Sequence, residues 1–373
     1  MVSKARQLAQ SASAPESRKN VIINGDMKIA QRGNQTGQTG VAMAACDRWI
    51  VAEAGDTVVD TSQSTDVPSG QGFANSLKVD VTTEDSSLAA DDFFLIIQRL
   101  EGQDVQHFRY GSSSARDITV SFWVKSPKTG THILEIRQNT SSVFNSQAYT
   151  IDSANTWQKV ELTFSGYTVA AITDDNTHGF SINWFLAAGS TYSSGTLNSN
   201  TWHNTNANRA VGQVNAVDSD ANNFYLTGVQ VEVGSVATEF EHRSFGEELA
   251  LCQRYYHRQV RTDTTDANDI SRFNNTAGLY LGVAQITGAT SGFLPVMMPT
   301  TMRSTPTVSQ TEVSDISAFD GANLAFTSFA IVGHEMHNLI FMALAFSSGG
   351  TANDAARVFI NTVGSFVDFD AEI

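Results

Sequence analysis

The stretch ITVSFWVK at residues 118–125 decides the fold, because apolar and mostly polar side chains alternate along it. A period of two places the two sets on opposite faces of a β-strand, so that one face packs on a core and the other meets water. The same alternation recurs at residues 160–164, 180–186 and 229–233. Polar stretches rich in Gly, Ser, Asn and Asp separate these segments. Many short strands joined by such turns are typical of a β-sandwich or jelly roll.

A helical segment separates two strand-rich regions. From Ser244 to Arg258, apolar residues recur at helical spacing, Glu247 follows the N-cap serine by three residues, and basic residues end the segment. Beyond it the alternation returns, and Leu339–Phe346 is apolar at every position. The sequence therefore predicts an all-β protein: a jelly-roll β-sandwich over 21–243, a short connector helix over 244–258 and a second, smaller β-sandwich-like domain over 259–373.

Composition excludes several classes of protein. The 373-residue chain has a formal net charge of −15, and a surface of that sign repels phosphate, so nucleic acid is not an expected partner. The run Leu339–Phe346 is far shorter than the roughly 18 residues that span a bilayer, so we expect no membrane insertion. The N-terminus lacks the apolar core of a signal peptide. Cys46 and Cys252 form no CxxC pair, so we expect buried thiols, synthesis in the cytoplasm and no structural zinc.

Residues 1–20 differ from the rest of the chain. They contain four basic residues, one acid and few large apolar side chains, which is too little apolar surface for the segment to fold alone. Two interpretations remain: a solvated tail, or an N-terminal arm that becomes ordered on a partner. We expect a docking arm that contacts an acidic partner through Lys4, Arg6, Arg18 and Lys19.

No motif predicts catalysis or a metal centre. His334 and His337 are three residues apart, whereas a zinc-protease helix needs four, and in a strand the two would face opposite ways. A nucleophile elbow, a phosphate loop, a dinucleotide fingerprint and an EF-hand loop are all absent. A glycosidase needs a carboxyl whose pKa is raised by burial. The close carboxylate pairs lie instead in polar, turn-like sequence: Asp174 with Asp175, Asp218 with Asp220, and Glu239 with Glu241. We expect neither an enzyme nor a cofactor.

Aromatic residues are the remaining candidates for ligand contact. Trp184 is in phase with its apolar neighbours and is expected in the core, whereas Trp123 is out of phase and is expected on an outer face. Residues 187–223 form a long polar segment, and loops of that length are uncommon unless they are functional or covered. Within it, Trp202 and Tyr192 are the candidate glycan-binding residues, since an aromatic face can stack on the C–H groups of a sugar. The alternative is that Trp202 pins its own loop to the sheet.

The opening NVIINGDM at 20–27, followed by AQRG at 30–33 and DRW at 47–49, resembles the start of a jelly-roll domain that recurs in tailed-bacteriophage virion proteins and is similar to carbohydrate-binding modules. The stretches around residue 80, from Phe94 onward and from Phe224 to Arg258 fit the same pattern. The resemblance thus covers about residues 20–258. The stretch from Phe293 is similar to the segment that comes after this domain in phage tail-fibre proteins.

The resemblance implies a virion structural protein made in the host bacterial cytoplasm, a homotrimeric tail-fibre component that attaches to host-surface glycans. Two alternatives remain open: a scaffold that touches no sugar, such as a capsid decoration, head fibre or tail adaptor, and a polysaccharide depolymerase. Carbohydrate-binding modules of this type often hold calcium through an acid in the last strand, but residues 225–228 read YLTG, so we expect no metal. The arm at 1–20 lies outside the pattern, and we expect it to dock on other virion proteins.

Overall fold

The computed structural model describes residues 19–260 and 279–373, apart from short gaps at 313, 315, 320–322, 336–337 and 361–364. Lys4, Arg6, Arg18 and His337 therefore lie outside the described residues. The chain divides into two compact units, Met1–Phe245 and Gly246–Ile373.

Strands dominate the described part of the first unit. Its helical segments are short: a 3₁₀ turn at Gly102–Phe108, α1 at Ser190–Ser193 and a 3₁₀ turn at Asn206–Asn208. The strands are β1 (Gln35–Gln38), β2 (Val41–Met43), β3 (Trp49–Ala54), β4 (Val58–Ser64), β5 (Ser76–Thr83), β6 (Phe93–Glu101), β7 (Ile118–Lys125), β8 (Gly130–Gln138), β9 (Val143–Ile151), β10 (Gln158–Phe164), β11 (His178–Ala188) and β12 (Asn223–Val233).

Two six-stranded antiparallel sheets form the sandwich. Sheet A has the order β1-β4-β5-β12-β7-β10, and sheet B has the order β2-β3-β6-β11-β8-β9. From β5 onward the chain passes between the sheets so that β5-β12-β7-β10 and β6-β11-β8-β9 form the two halves, which is the strand order of a jelly roll. The predicted all-β jelly-roll sandwich is confirmed.

One core fills the space between the sheets. Val120 and Phe122 of sheet A and Ile96 and Trp184 of sheet B are completely buried in it. Trp184 contacts Trp49 at 5.5 Å between ring centroids, so its predicted burial is confirmed. Each such side chain contributes about 2–3 kcal/mol through the apolar area that it removes from water.

Chain segments cover parts of both outer faces. On sheet A, Thr227 donates a hydrogen bond to the carbonyl of Asn75 at 2.7 Å, and Thr238 donates its backbone N–H to Glu232 at 2.8 Å. These bonds hold the two covering segments, residues 65–75 and 235–243. On sheet B the long polar segment 189–222 is the cover, and its Ala210 is buried against that sheet.

The second unit begins with a helix that is shorter than predicted. Helix α2 spans Phe245–Gln253, and Tyr256–Val260 then forms β13 instead of a final helical turn. Strand β13 pairs with β21 (Phe366–Asp370), and Arg258 donates two hydrogen bonds to Asp368 at 2.7 and 2.8 Å. Cross-strand pairing thus outweighs the local helical pattern at residues 254–258.

The second domain is a barrel with a small sheet, where the sequence predicted a sandwich-like domain. The remaining strands are β14 (Leu279–Gly288), β15 (Ser291–Met297), β16 (Thr307–Gln310), β17 (Ile316–Phe319), β18 (Asn323–Glu335), β19 (Leu339–Phe346) and β20 (Ala355–Ile360). The order β14-β15-β19-β18-β17-β20 closes on itself, and β13-β21-β16 forms a separate sheet. Closure removes exposed strand edges and fills the interior with side chains. Ile340, Met342 and Leu344 of β19 are accordingly buried.

Candidate functional site

The outer face of sheet B carries a cluster of apolar side chains, and two arginines lie next to this cluster further along the strands. Leu95 and Ile97 of β6 and Ile133 of β8 pack together on this face, away from the main core. One register step further, Ser181 of β11 lies between Arg99 of β6 and Arg137 of β8. The two arginines thus flank a small, buried serine on this sheet.

A cavity of about 200 Å³ opens above these strands. Its lining combines an apolar surface with a cationic rim. Phe93 and Tyr192 meet edge to face at 5.6 Å between ring centroids, so the long polar segment contributes one of the rings. The complete lining is Val41, Ala52, Phe93, Leu95, Ile97, Arg99, Arg137, Phe185, Tyr192 and Arg209.

Arg209 is held by the protein itself. Its Nε and one terminal nitrogen each donate a hydrogen bond to the fully buried carboxylate of Glu135 at 2.7 Å, and Asn183 donates another to Glu135 at 2.8 Å. Its guanidinium lies 4.2 Å from the centroid of the Phe144 ring. Burial alone would lower the pKa of Arg209, but Glu135 outweighs it and raises that pKa above its usual value. Arg209 therefore fastens the covering segment to the sheet.

Arg137 differs from Arg209 because its guanidinium has no acceptor in the described part of the chain. Its Nε is buried without a hydrogen bond, and among the described residues none accepts a hydrogen bond from any of its nitrogens. The half-buried guanidinium lies 5.5 Å from the Phe144 ring centroid. Burial, followed by the nearby charge of Arg209, lowers the pKa of Arg137, while Glu135 opposes the shift. A bound anion would supply the acceptor that this donor lacks.

The structure separates the two predicted glycan-binding residues. Tyr192 lines the cavity, whereas Trp202 packs against the main core of the sandwich. The indole N–H of Trp202 donates to the carbonyl of Ser165 at 2.8 Å, and its ring meets Tyr110 and Tyr167 at 5.7 and 5.1 Å. These contacts favour the alternative in which Trp202 pins its own loop.

The described end of the N-terminal segment is bound to its own domain. The backbone N–H of Lys19 donates to Glu241 at 3.2 Å, and its Nζ donates to the carbonyl of Glu239 at 3.2 Å. Nζ also lies 3.8 Å from the carboxylate of Glu232. Lys19 thus anchors the segment to the jelly roll, and a docking role for the arm depends on residues that precede it.

The carboxylate pairs that were weighed for catalysis do not have the environment of a catalytic acid. Asp175 is only partly buried, and hydrogen bonds from Thr177 lower its pKa. Asp218 accepts a hydrogen bond from Lys128. In the described ranges, no three His, Cys, Asp or Glu side chains are grouped so as to hold a metal ion. None of the described helices is long and apolar enough to cross a membrane.

Sequence reasoning did not single out Arg137, Arg209 or Phe93. One signal was present, because residues 93–97 read FFLII and an uninterrupted apolar strand predicts cover on both faces. The neighbours of Arg137 depend on the register of three strands that are distant in sequence.

No protein-family model and no curated protein matches the chain. Similar solved structures include the enzymatically active domain of tailspike protein 4 from bacteriophage CBA120, with 15% identity and a TM-score of 0.32 over 58% of this chain. This chain matches only 21% of that tailspike. The module CBM4 has 17% identity and a TM-score of 0.29 over 57% of this chain and 98% of its own. The family 11 carbohydrate-binding module of Clostridium thermocellum, in complex with a mixed-linked tetrasaccharide, has 13% identity and a TM-score of 0.28, over 55% and 98%.

Proposed function

We propose that the jelly roll binds glycans in the cavity on the outer face of sheet B, and that the bound sugar carries a carboxylate. The observation that carries this proposal is Arg137, a half-buried guanidinium without an acceptor among the described residues, beside the rings of Phe93 and Tyr192. A carboxylate can accept two parallel hydrogen bonds from a guanidinium, while the C–H groups of a sugar ring suit an aromatic surface.

A cavity of this kind holds one sugar unit weakly. We expect an affinity of roughly millimolar, or about −4 kcal/mol. Several copies in an assembly would raise the affinity through avidity, provided that the receptor allows simultaneous contact. Weak sites repeated in one particle are therefore sufficient for attachment to a surface.

We place this binding activity in a phage virion, as a component of a tail fibre. The support is the resemblance over residues 20–258 together with the jelly-roll strand order. A homotrimer is part of the same proposal, and the barrel offers exposed apolar side chains for it at Val283, Phe293 and Met297. Light scattering tests the trimer, because a mass near the 40.3 kDa of one chain at micromolar concentration contradicts it.

The N-terminal arm is proposed to attach the protein to an acidic partner in the particle. Deletion of residues 1–18 retains Lys19, which the structure places against Glu241, so the truncated protein is expected to fold. It should then fail to join virions, and attachment of the full chain should weaken with salt. Normal incorporation of the truncated protein would locate the anchor elsewhere.

The glycan proposal is tested on an array of acidic and neutral oligosaccharides with the Arg137→Met variant. The matched control is Arg357→Met, because Arg357 also lies 5.5 Å from a phenylalanine ring, that of Phe319 in the barrel. We expect wild type and the control to bind acidic sugars and Arg137→Met to lose them. Equal binding by Arg137→Met contradicts the proposal. An array without any bound sugar favours a scaffold, and release of reducing ends from a polysaccharide favours a depolymerase.

A further inference from the structure

We propose a second carbohydrate site on the opposite sheet, in a groove on the outer face of sheet A that takes a neutral sugar. The groove has a volume of about 270 Å³ and lies between the covering segments 65–75 and 235–243. It shares no lining residue with the cavity on sheet B. The proposal thus goes beyond the function proposed above and stands independently of it.

Trp123 forms one side of the groove because its strand faces outward at that position. In β7 the neighbours Phe122 and Val124 are buried in the core, and Trp123 is half-buried on the other face. The outward position predicted from the alternation is therefore confirmed.

Gly228 allows a second ring to approach Trp123. This glycine lies at an irregularity in the pairing of β12 with β7, and it has a positive φ of 61°. A Cβ at this position would lie 2.6 Å from Phe73 and 3.0 Å from Trp123. The absence of a side chain thus leaves room for both rings to lie close to the backbone at this position.

Phe73, Phe240 and His242 complete an aromatic cluster. Their ring centroids are 5.1 Å apart for Phe73 and Phe240, 5.6 Å for Phe73 and His242, and 4.9 Å for Phe240 and His242. Because the three rings brace one another, the two covering segments hold this side of the groove in a fixed arrangement. Preformed aromatic surfaces of this kind bind ligands with little loss of side-chain freedom.

The polar groups of the groove are available to a ligand. Among the described residues, none accepts a hydrogen bond from the indole N–H of Trp123, and none donates one to the carboxylate of Glu239. Trp49, Trp157 and Trp202 differ, because their indole N–H groups donate to Asn24, Asp66 and Ser165 at 3.1, 2.9 and 2.8 Å. The indole N–H of Trp184 is also unpaired, but it is enclosed in the core, where a ligand does not reach it. An unpaired donor and an unpaired acceptor on an aromatic groove are the groups that recognise hydroxyls above a sugar ring.

The charges of the groove favour a neutral ligand. Lys159 lines it, but its Nζ lies 2.8 Å from the carboxylate of Glu161, whose negative charge offsets that of the lysine. Glu239 also lines the groove, and its carboxylate has no partner among the described residues. Its negative charge therefore repels an anionic sugar. The two sites therefore differ in specificity: the cavity with Arg137 takes a carboxylate, and the groove with Trp123 takes hydroxyls alone.

The indole N–H signals in a ¹H–¹⁵N NMR spectrum test this proposal directly. We would titrate the full-length protein with three neutral disaccharides, lactose, maltose and cellobiose. The expected result is a saturable shift of the Trp123 signal with a Kd of roughly millimolar, while the signals of Trp157 and Trp202 stay in place. Trp123→Phe assigns the signal and should weaken binding at least tenfold, as measured on backbone signals of residues 70–73. Trp157→Phe is the matched control and should bind as wild type does.

Two outcomes would overturn the proposal. The first is a Trp123 signal that none of the disaccharides moves at concentrations about tenfold above a millimolar Kd. The second is unchanged binding of a disaccharide by Trp123→Phe. Arg137→Met should leave the Trp123 shift intact, so the failure of one site does not imply the failure of the other.

Discussion

The two outer faces of the jelly roll differ in how they are covered. On sheet B, one long segment lies across the strands, and a buried ion pair between Arg209 and Glu135 holds it. On sheet A, two short segments meet the sheet through neutral and charged hydrogen bonds, such as that of Thr238 with Glu232. An opening lies beside each cover, above Arg137 on sheet B and beside Trp123 on sheet A.

The difference shows how structural and ligand-binding side chains can be told apart. Polar groups that hold a cover have protein partners, as the indole N–H of Trp202 and the guanidinium of Arg209 do. Arg137 and Trp123 line the openings, and their donors lack protein acceptors among the described residues. Other donors without a partner, such as the indole N–H of Trp184, are enclosed in the core, whereas Arg137 and Trp123 line openings that a ligand can enter.

The largest expected effect comes from breaking the ion pair on sheet B. Arg209→Met leaves Glu135 charged and fully buried without its partner. We expect the free energy of unfolding to fall by about 3–5 kcal/mol, measured by urea denaturation of the purified variant.

Arg137→Met is the control for this prediction. It removes a half-buried cation that has no acceptor among the described residues, so the free energy of unfolding should stay the same or rise. If both substitutions cost the same stability, the distinction between a paired and an unpaired arginine fails.

The second prediction concerns acid, and it tests two histidines on strands of sheet B rather than the covering segments. Burial lowers the pKa of His132 to about 4, and burial followed by Arg99 lowers that of His178 to about 4. Since both folded values lie below the ordinary value of about 6.5, the unfolded chain takes up these protons first. The contribution of these two histidines to the free energy of unfolding is fully present above pH 6.5. It is lost as the pH falls toward 4, by up to about 3 kcal/mol for each histidine.

Denaturant midpoints between pH 7 and pH 4.5 measure this decline. His132→Gln stays neutral throughout, so its stability should fall less steeply with acid than that of wild type. Parallel curves for the two proteins would assign the acid sensitivity to other groups.

The third prediction compares two tryptophans. Trp202→Ala removes the hydrogen bond to Ser165 and the contacts with Tyr110 and Tyr167, which should lower stability by about 2–3 kcal/mol. Binding of both sugar classes by the folded variant should remain, whereas Trp123→Phe should lose the neutral class. Thermal melting combined with the oligosaccharide array checks both parts. If Trp202→Ala lost sugar binding at unchanged stability, Trp202 would contact the sugar and would not pin its loop.

Much of the fold was predictable because alternation is a local property. The period of two identifies the strands of the jelly roll, the burial of Trp184 and the outward position of Trp123. The end of α2 was missed because residues 254–258 satisfy a helical pattern locally, whereas Arg258 pairs with Asp368 from the end of the chain. Barrel closure was missed for the same reason, since it depends on the pairing of β20 with both β14 and β17.

The candidate sites were predictable only in part. The long polar segment led to Tyr192, which lines the cavity on sheet B. Arg137 gave no signal, because its place opposite Ser181 depends on register. Phe73 and His242 are far apart in the chain, and only the folded sheet brings their rings to 5.6 Å. Side chains from distant segments thus define both openings. The sequence pattern predicted one residue of each, Tyr192 on sheet B and Trp123 on sheet A.

The smallest expected effect separates backbone strain from occupation of the groove on sheet A. Gly228→Ala places a methyl group 2.6 Å from Phe73 and 3.0 Å from Trp123. Gly37→Ala is the matched control, because Gly37 has a φ of 63° and a Cβ there would have no neighbour within 4 Å. Both variants should lose about 1–2 kcal/mol of stability from the left-handed backbone alone. Only Gly228→Ala should also displace Phe73 and weaken the binding of neutral disaccharides, while acidic sugars still bind at Arg137. If Gly37→Ala weakens neutral-sugar binding equally, the effect arises from strain in sheet A and the groove is not the binding site.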